Sequence, residues 1–131
     1  MIKKFIQQLF TADLYIKVYE NRFEVKNISN RGQWATAHSK TPFTTDRLLV
    51  GKFSIAEPLL RKLIKKVLPK RLVPYSAKVV IHPVQRVEGG LSEVEERIFN
   101  ELAEGAGAFR VALHTGNELT DTEVVNLLSK A

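Results

Sequence analysis

In the opening stretch MIKKFIQQLF, apolar side chains fall at Ile2, Phe5, Ile6, Leu9 and Phe10, with Lys3, Lys4, Gln7 and Gln8 opposite them. That period predicts a short amphipathic helix over residues 1–10 with lysines at its polar edge. The period then shortens to two. In DLYIKVYENRFEVKNI, Leu14, Ile16 and Val18 share one face, as do Phe23, Val25 and Asn27. This predicts two strands around a tight turn at Glu20-Asn21. QWATAH, residues 33–38, predicts a third strand after the turn at Asn30-Arg31-Gly32. Residues 39–53 read as a loop, with Leu48-Leu49-Val50 touching the core.

The second half alternates. SIAEPLLRKLIKKVL predicts a helix with Ser54 and Glu57 as a capping box and Pro58 in its first turn. Ile55, Leu59, Leu60, Leu63, Ile64 and Val67 form its buried stripe, and Pro69 stops it. AKVVIHP, residues 77–83, is a nearly continuous apolar run, as expected of a strand covered on both faces. A second helix starts with the capping box Ser92 and Glu95 and turns Val94, Ile98, Leu102 and Ala103 inward. FRVALH, residues 109–114, is a strand. TDTEVVNLLSK is a final helix with Thr120 and Glu123 as a third capping box. Three early strands suit an antiparallel meander, and the later strand-helix-strand unit suits parallel pairing. The predicted organisation is a helix over 1–10 followed by one domain over 11–131.

Composition narrows the chemistry. The chain has 131 residues, 44% hydrophobic, and no Cys. That is long enough for a real core. It excludes disulfides, thiolate metal sites and a thiol nucleophile. No apolar run approaches the ~20 residues that span a bilayer. The N-terminus lacks the long apolar segment and cleavage site of a signal peptide, so none is expected. The net charge of +6 hides a split: residues 1–87 carry 17 Lys and Arg against 5 Asp and Glu, residues 88–131 carry 3 against 9. Such asymmetry suggests an anionic partner for the first part, or head-to-tail self-association.

Two glycines, Gly105 and Gly107, invite comparison with a phosphate cradle. In such cradles the glycine turn follows a strand and opens a helix, whose free N–H groups face phosphate. Here GAGA follows a helix and precedes a strand. Gly105 is expected to be the left-handed residue after the helix C-terminus, where free carbonyls repel phosphate. His38, His82 and His114 sit singly on predicted strands; they could converge at strand ends, and a convergent site around His82 and His114 is the last-ranked reading, but no ligand spacing supports a metal. Ser92, Glu93, Glu95 and Glu96 crowd a helix start, where they cap it and favour its dipole. No catalytic residue, cofactor or metal site is expected. Arg61, Lys62, Lys65, Lys66, Lys70 and Arg71 form a basic surface able to meet phosphates of a lipid or nucleic acid, though no aromatic is interleaved with them.

VEERIFNELAEGAGAFRVAL resembles the GAGA segment of MreB, the rod-shape-determining bacterial actin family. MIKKFIQQLFTADLYI is similar to that family's N-terminus, a basic-apolar helix followed by Asp-Leu-x-Ile. FSIAEPLLRKLIKKV and RLVPYSAKVVIHPV resemble the helix and strand that precede the GAGA helix there. The likeness covers nearly the whole chain but only the first subdomain of a protein more than twice as long. It implies an α/β, ribonuclease-H-like fold: a five-stranded mixed sheet, order 3-2-1-4-5, with flanking helices. In the family the first strand ends in Asp-Leu-Gly-Thr, which holds metal and nucleotide phosphates. Aligned on Asp13-Leu14, this chain has Lys17, Val18, Tyr19 and Glu20 instead. The acid has become Lys17, and Tyr19 stands where a glycine backbone approaches phosphate. The Glu-Glu-Pro after the GAGA strand is replaced by His114-Thr115-Gly116. The resemblance therefore implies a degenerate relative without ATPase activity.

It also implies a site that remains. Such a helix attaches MreB-like filaments to the inner face of the cytoplasmic membrane. Here Ile2, Phe5, Ile6, Leu9 and Phe10 would enter the lipid interface while Lys3 and Lys4 meet anionic headgroups. The expectation is a non-catalytic, membrane-associated cytoplasmic module in cell shape or envelope assembly. Its expected partners are the membrane surface, an MreB-type filament or another envelope protein, and a second copy of itself. The alternative is a nucleic-acid-binding domain using the 61–71 surface.

Overall fold

The computed structural model describes residues 10–72 and 75–130. The helix expected over 1–10 lies outside the described residues except for Phe10. Strands β1 (Ala12–Tyr19), β2 (Arg22–Asn27) and β3 (Ala35–His38) lead to helix α1 (Phe53–Val67). Strand β4 (Ala77–Pro83), helix α2 (Glu93–Gly105), strand β5 (Ala108–Leu113) and helix α3 (Asp121–Lys130) follow. One five-stranded sheet runs β3-β2-β1-β4-β5. The β1-β2 and β2-β3 pairs are antiparallel; β1-β4 and β4-β5 are parallel. The expected strand order and mixed pairing are both present.

Alternation along the strands builds two cores. Leu14, Ile16, Val18, Phe23, Val25, Val79 and Ile81 face α1 and α2, with Leu60, Leu63, Ile64, Leu102 and Ala103 packed on them. On the other sheet face Tyr15, Ile28 and Val80 meet Val124 and Leu128 of α3. Thus β1 and β4 are buried on both sides, as the apolar run in β4 predicts. The β1-β2 turn falls at Glu20-Asn21, with Asn21 at φ 55. Asn27, at the apolar end of β2, donates from Nδ2 to the Val67 carbonyl (3.0 Å), satisfying one of the last carbonyls of α1.

Four local expectations are corrected. The Ser54–Glu57 capping box does not form: the helix starts at Phe53 with Lys52 as N-cap and no side-chain cap. Ser54 is already helical there, and Glu57 turns to Arg61 instead (2.5 Å). Consequently Pro58 lies inside α1, beyond its first turn, and the Ser54 carbonyl loses the i+4 amide that proline lacks. On α2, Val94 points outward at 66% exposure, while Phe99 is buried. Phe99, Leu102, Ala103 and Ala106 lie three or four residues apart, so they share the inner stripe. Last, the left-handed glycine after α2 is Gly107 (φ 123), not Gly105, which still belongs to the helix. The other two capping boxes form: Ser92 with Glu95 (3.0 and 3.1 Å) and Thr120 with Glu123 (2.9 and 3.2 Å).

Candidate functional site

The two ends of the sheet differ chemically. At the carboxyl ends of the parallel strands, register places Lys17 of β1 beside His82 of β4. Ile81 and Leu113 are also partners, so His114, next after β5, neighbours His82. Their rings meet edge to face at 4.7 Å. Lys17, His82 and His114 thus form a row across three strands, on the face that carries Tyr15. Convergence at the strand ends, left open by the sequence for the three histidines, holds for His82 and His114, while the place of Lys17 beside them had no sequence signal. For the histidines the trace is that both occupy the same place at the ends of their strands.

The loop from Thr115 to Thr120 runs over that row and is held at four successive residues. His82 Nε2 meets the Gly116 carbonyl at 3.0 Å and His114 Nε2 meets the Asn117 carbonyl at 2.8 Å. Lys17 Nζ pairs with the Glu118 carboxylate. The Leu119 amide donates to the Tyr15 hydroxyl at 3.1 Å. A carbonyl only accepts, so each imidazole carries a proton on Nε2. Nδ1 of His82 then accepts from the Tyr15 hydroxyl, 2.7 Å away. Trp34 closes the side of the cluster, its ring 4.5 Å from Lys17 Nζ and 5.4 Å from the Tyr15 ring.

These surroundings set the charges. Burial lowers the His82 pKa, the neighbouring His114 and Lys17 add to this, and the Gly116 bond opposes it, so His82 is neutral at pH 7. Burial raises the Tyr15 pKa and keeps its hydroxyl protonated. For Lys17, burial works against the charge, but the Glu118 bond and the nearby phenols outweigh it and the pKa is raised. The linkage sign follows. A histidine with a lowered folded pKa binds protons more readily when unfolded. Its contribution to stability is complete above the unfolded value of about 6.5 and declines as the pH falls below it. Urea unfolding should therefore show lower stability at pH 5 than at pH 7.5, and His82→Gln should flatten that dependence. An unchanged profile in His82→Gln would assign the acid sensitivity elsewhere.

The structure distributes the three residues of the expected degenerate phosphate loop. Lys17 is buried under the Glu118 loop. Tyr19 lies beneath the Arg22 guanidinium, 3.9 Å from its ring centre. Glu20 is exposed and pairs with Arg86 (3.0 Å), while its amide donates to Gln85 Oε1 (2.6 Å). His38 stands apart on the exposed edge strand. Among the described residues no group of three or more His, Asp or Glu is arranged to hold a metal.

The amino ends of the same strands are basic. The second half of α1 and the residues after it present Lys62, Lys65, Lys66, Lys70 and Arg71 to solvent. Arg61 departs from the expected free surface. It binds the Glu57 carboxylate and the Gly105 carbonyl (2.7 Å), so its charge settles the C-terminus of α2. A groove of about 350 Å³ opens beside Lys65 and Lys70, floored by Ile64, Leu68, Leu72 and Ala106. Tyr75 stands at its edge, 59% exposed. The chain enters β1 at this end: the Ala12 amide donates to the Ser76 carbonyl (3.1 Å), next to Tyr75, and Phe10 is 57% exposed. No helix among the described residues is long and apolar enough to cross a membrane.

No protein-family model matches the chain. It is similar to "Uncharacterized protein YjaA" of Escherichia coli (strain K12), with 31% identity over 98 residues, covering 71% of this chain and 75% of that protein. Similarity of that degree over most of both chains shows common descent: the chain belongs to the same family as YjaA.

Proposed function

We propose that the chain is a non-catalytic module that binds the inner face of the cytoplasmic membrane and works there in cell shape or envelope assembly. The observation that carries this reading is the basic amino end of the sheet. Lys65, Lys66 and Lys70 make no ion pair with a described residue and stand where the amphipathic segment 1–10 joins β1. A short apolar face binds a bilayer weakly, and adjacent cations facing anionic lipid add to it. Exposed Phe10 and Tyr75 supply apolar surface at the same edge. The resemblance to the first subdomain of MreB supports the cellular setting, and the strand order β3-β2-β1-β4-β5 is that of the ribonuclease-H-like core it implies. With Lys17 in place of the metal-binding acid, the module would work without nucleotide, through contacts with lipid and with filament or envelope proteins.

Flotation with vesicles containing phosphatidylglycerol tests this. A basic residue near an anionic surface is worth about 1 kcal/mol. The triple change Lys65→Glu, Lys66→Glu, Lys70→Glu should therefore weaken partitioning on the order of 100-fold. Deleting residues 1–10 should also release the protein. Equal flotation of the intact chain and both variants, or none by any of them, removes the membrane from the account. Retention on DNA or RNA that the same triple change abolishes, without flotation, would instead support nucleic-acid binding through these lysines.

A further inference from the structure

We propose that the row Lys17, His82 and His114, with Trp34 beside it, is a binding site for a small carboxylate ligand, and that Glu118 fills it as a removable stand-in. This site lies at the opposite end of the sheet from the basic edge and does not depend on membrane binding. Lys17 sits in the central strand between fully buried Ile16 and Val18, and its side chain is 9% exposed. Desolvating an ammonium there is costly, and an apolar residue of similar size would pack without that cost. A buried cation at this place is therefore explained by an anion that it must hold.

The carboxylate that meets it belongs to a residue of a different kind. Glu118 has a side chain 64% exposed, on a loop without regular secondary structure that turns through Gly116 at φ 113. The cation is fixed in the central strand, and the anion hangs on a loop outside the sheet. The remaining loop ties point the same way. Once the Gly116 and Asn117 carbonyls leave, two imidazole N–H groups lose their acceptors beside the Lys17 ammonium. Three donors along this row are then without acceptors, and a carboxylate offers two oxygens with four lone pairs. The Trp34 ring beside Lys17 gives a flat apolar wall for the body of such a ligand. The place itself, outside the carboxyl ends of parallel strands, is where open α/β sheets take ligands.

The test uses the full chain carrying Glu118→Gln, with acetate, benzoate and inorganic phosphate as probes. The ring-proton NMR signals of His82 and His114 are followed through each titration. A tethered competitor acts at millimolar effective concentration or above. Its removal should tighten carboxylate binding about tenfold or more relative to the unsubstituted chain. Benzoate should bind more tightly than acetate, through Trp34, and adding Lys17→Met should abolish both. Should Glu118→Gln fail to fold, Glu118→Asp withdraws the carboxylate by one methylene while keeping its charge, and the same tightening is expected. No saturable shift in a folded variant overturns the proposal. So does equal affinity with and without Glu118, or binding that survives Lys17→Met. Tighter binding of phosphate than of benzoate overturns the carboxylate assignment.

Discussion

Glu118→Ala should cost several times more stability than Lys17→Met, although both changes break the same ion pair. The reason is where each partner is left. Without Glu118, an ammonium whose side chain is 9% exposed stays in the sheet unpaired. Stranding a buried charge in this way costs about 3–5 kcal/mol. Without Lys17, the carboxylate left over belongs to a side chain already 64% exposed, and it turns to water. Methionine fills the vacated space beside Trp34 and Tyr15, and replacing a buried charge by a hydrophobe is commonly neutral or stabilising. Urea unfolding midpoints at unchanged slope would read both changes. Equal losses would mark the pair as an ordinary structural bridge and remove the contrast between a fixed cation and a displaceable anion.

Phe43→Ala should be as damaging, about 3–5 kcal/mol, from a residue in a segment without helix or strand. Phe43 is fully buried and stacks on Phe23 with ring centres 4.8 Å apart. Its carbonyl accepts the amides of Gly51 and Lys52, both at 2.9 Å, so the ring and its backbone together close the loop onto the first core. Gly51 takes part for a steric reason: a Cβ there would strike the Thr45 side chain. The midpoint of urea unfolding should fall accordingly. A loss below about 1 kcal/mol would show that the 39–52 loop collapses around the gap.

What could be read from the sequence follows from range. Alternation at Leu14, Ile16 and Val18, and at Phe23 and Val25, is local, and it set both hairpin strands and their core face correctly. The apolar run of β4 announced burial on two sides. Helix phase was less legible. Around α2 both Val94 and Phe99 fit an apolar stripe with Ile98 and Leu102, and only packing against the sheet selects Phe99. Ser54 and Glu57 have the spacing of a cap, but the chain enters the helix earlier, and spacing alone carries no entry point. Phe43 lies outside any periodic segment, so nothing flagged it beside the predicted loop contacts of Leu49 and Val50. The Lys17–Glu118 pair spans 101 residues and has no sequence signal. Lys17 stands out in the sequence only through the resemblance, as the residue in place of the family's acid. Its partner, and the row it forms with His82 and His114, emerge from the parallel register of β1, β4 and β5.

Trp34 is the chain's one tryptophan. Its ring lies 4.5 Å from Lys17 Nζ and 5.9 Å from Lys26 Nζ, and Lys26 in turn reaches Asp121 at the start of α3 (3.1 Å). Indole emission responds to nearby charge and to water, and here all of it arises at a single ring. The protein thus has a built-in optical gauge: one unlabelled fluorescence trace would report a carboxylate arriving beside Lys17, or the loss of the Glu118 contact in a variant.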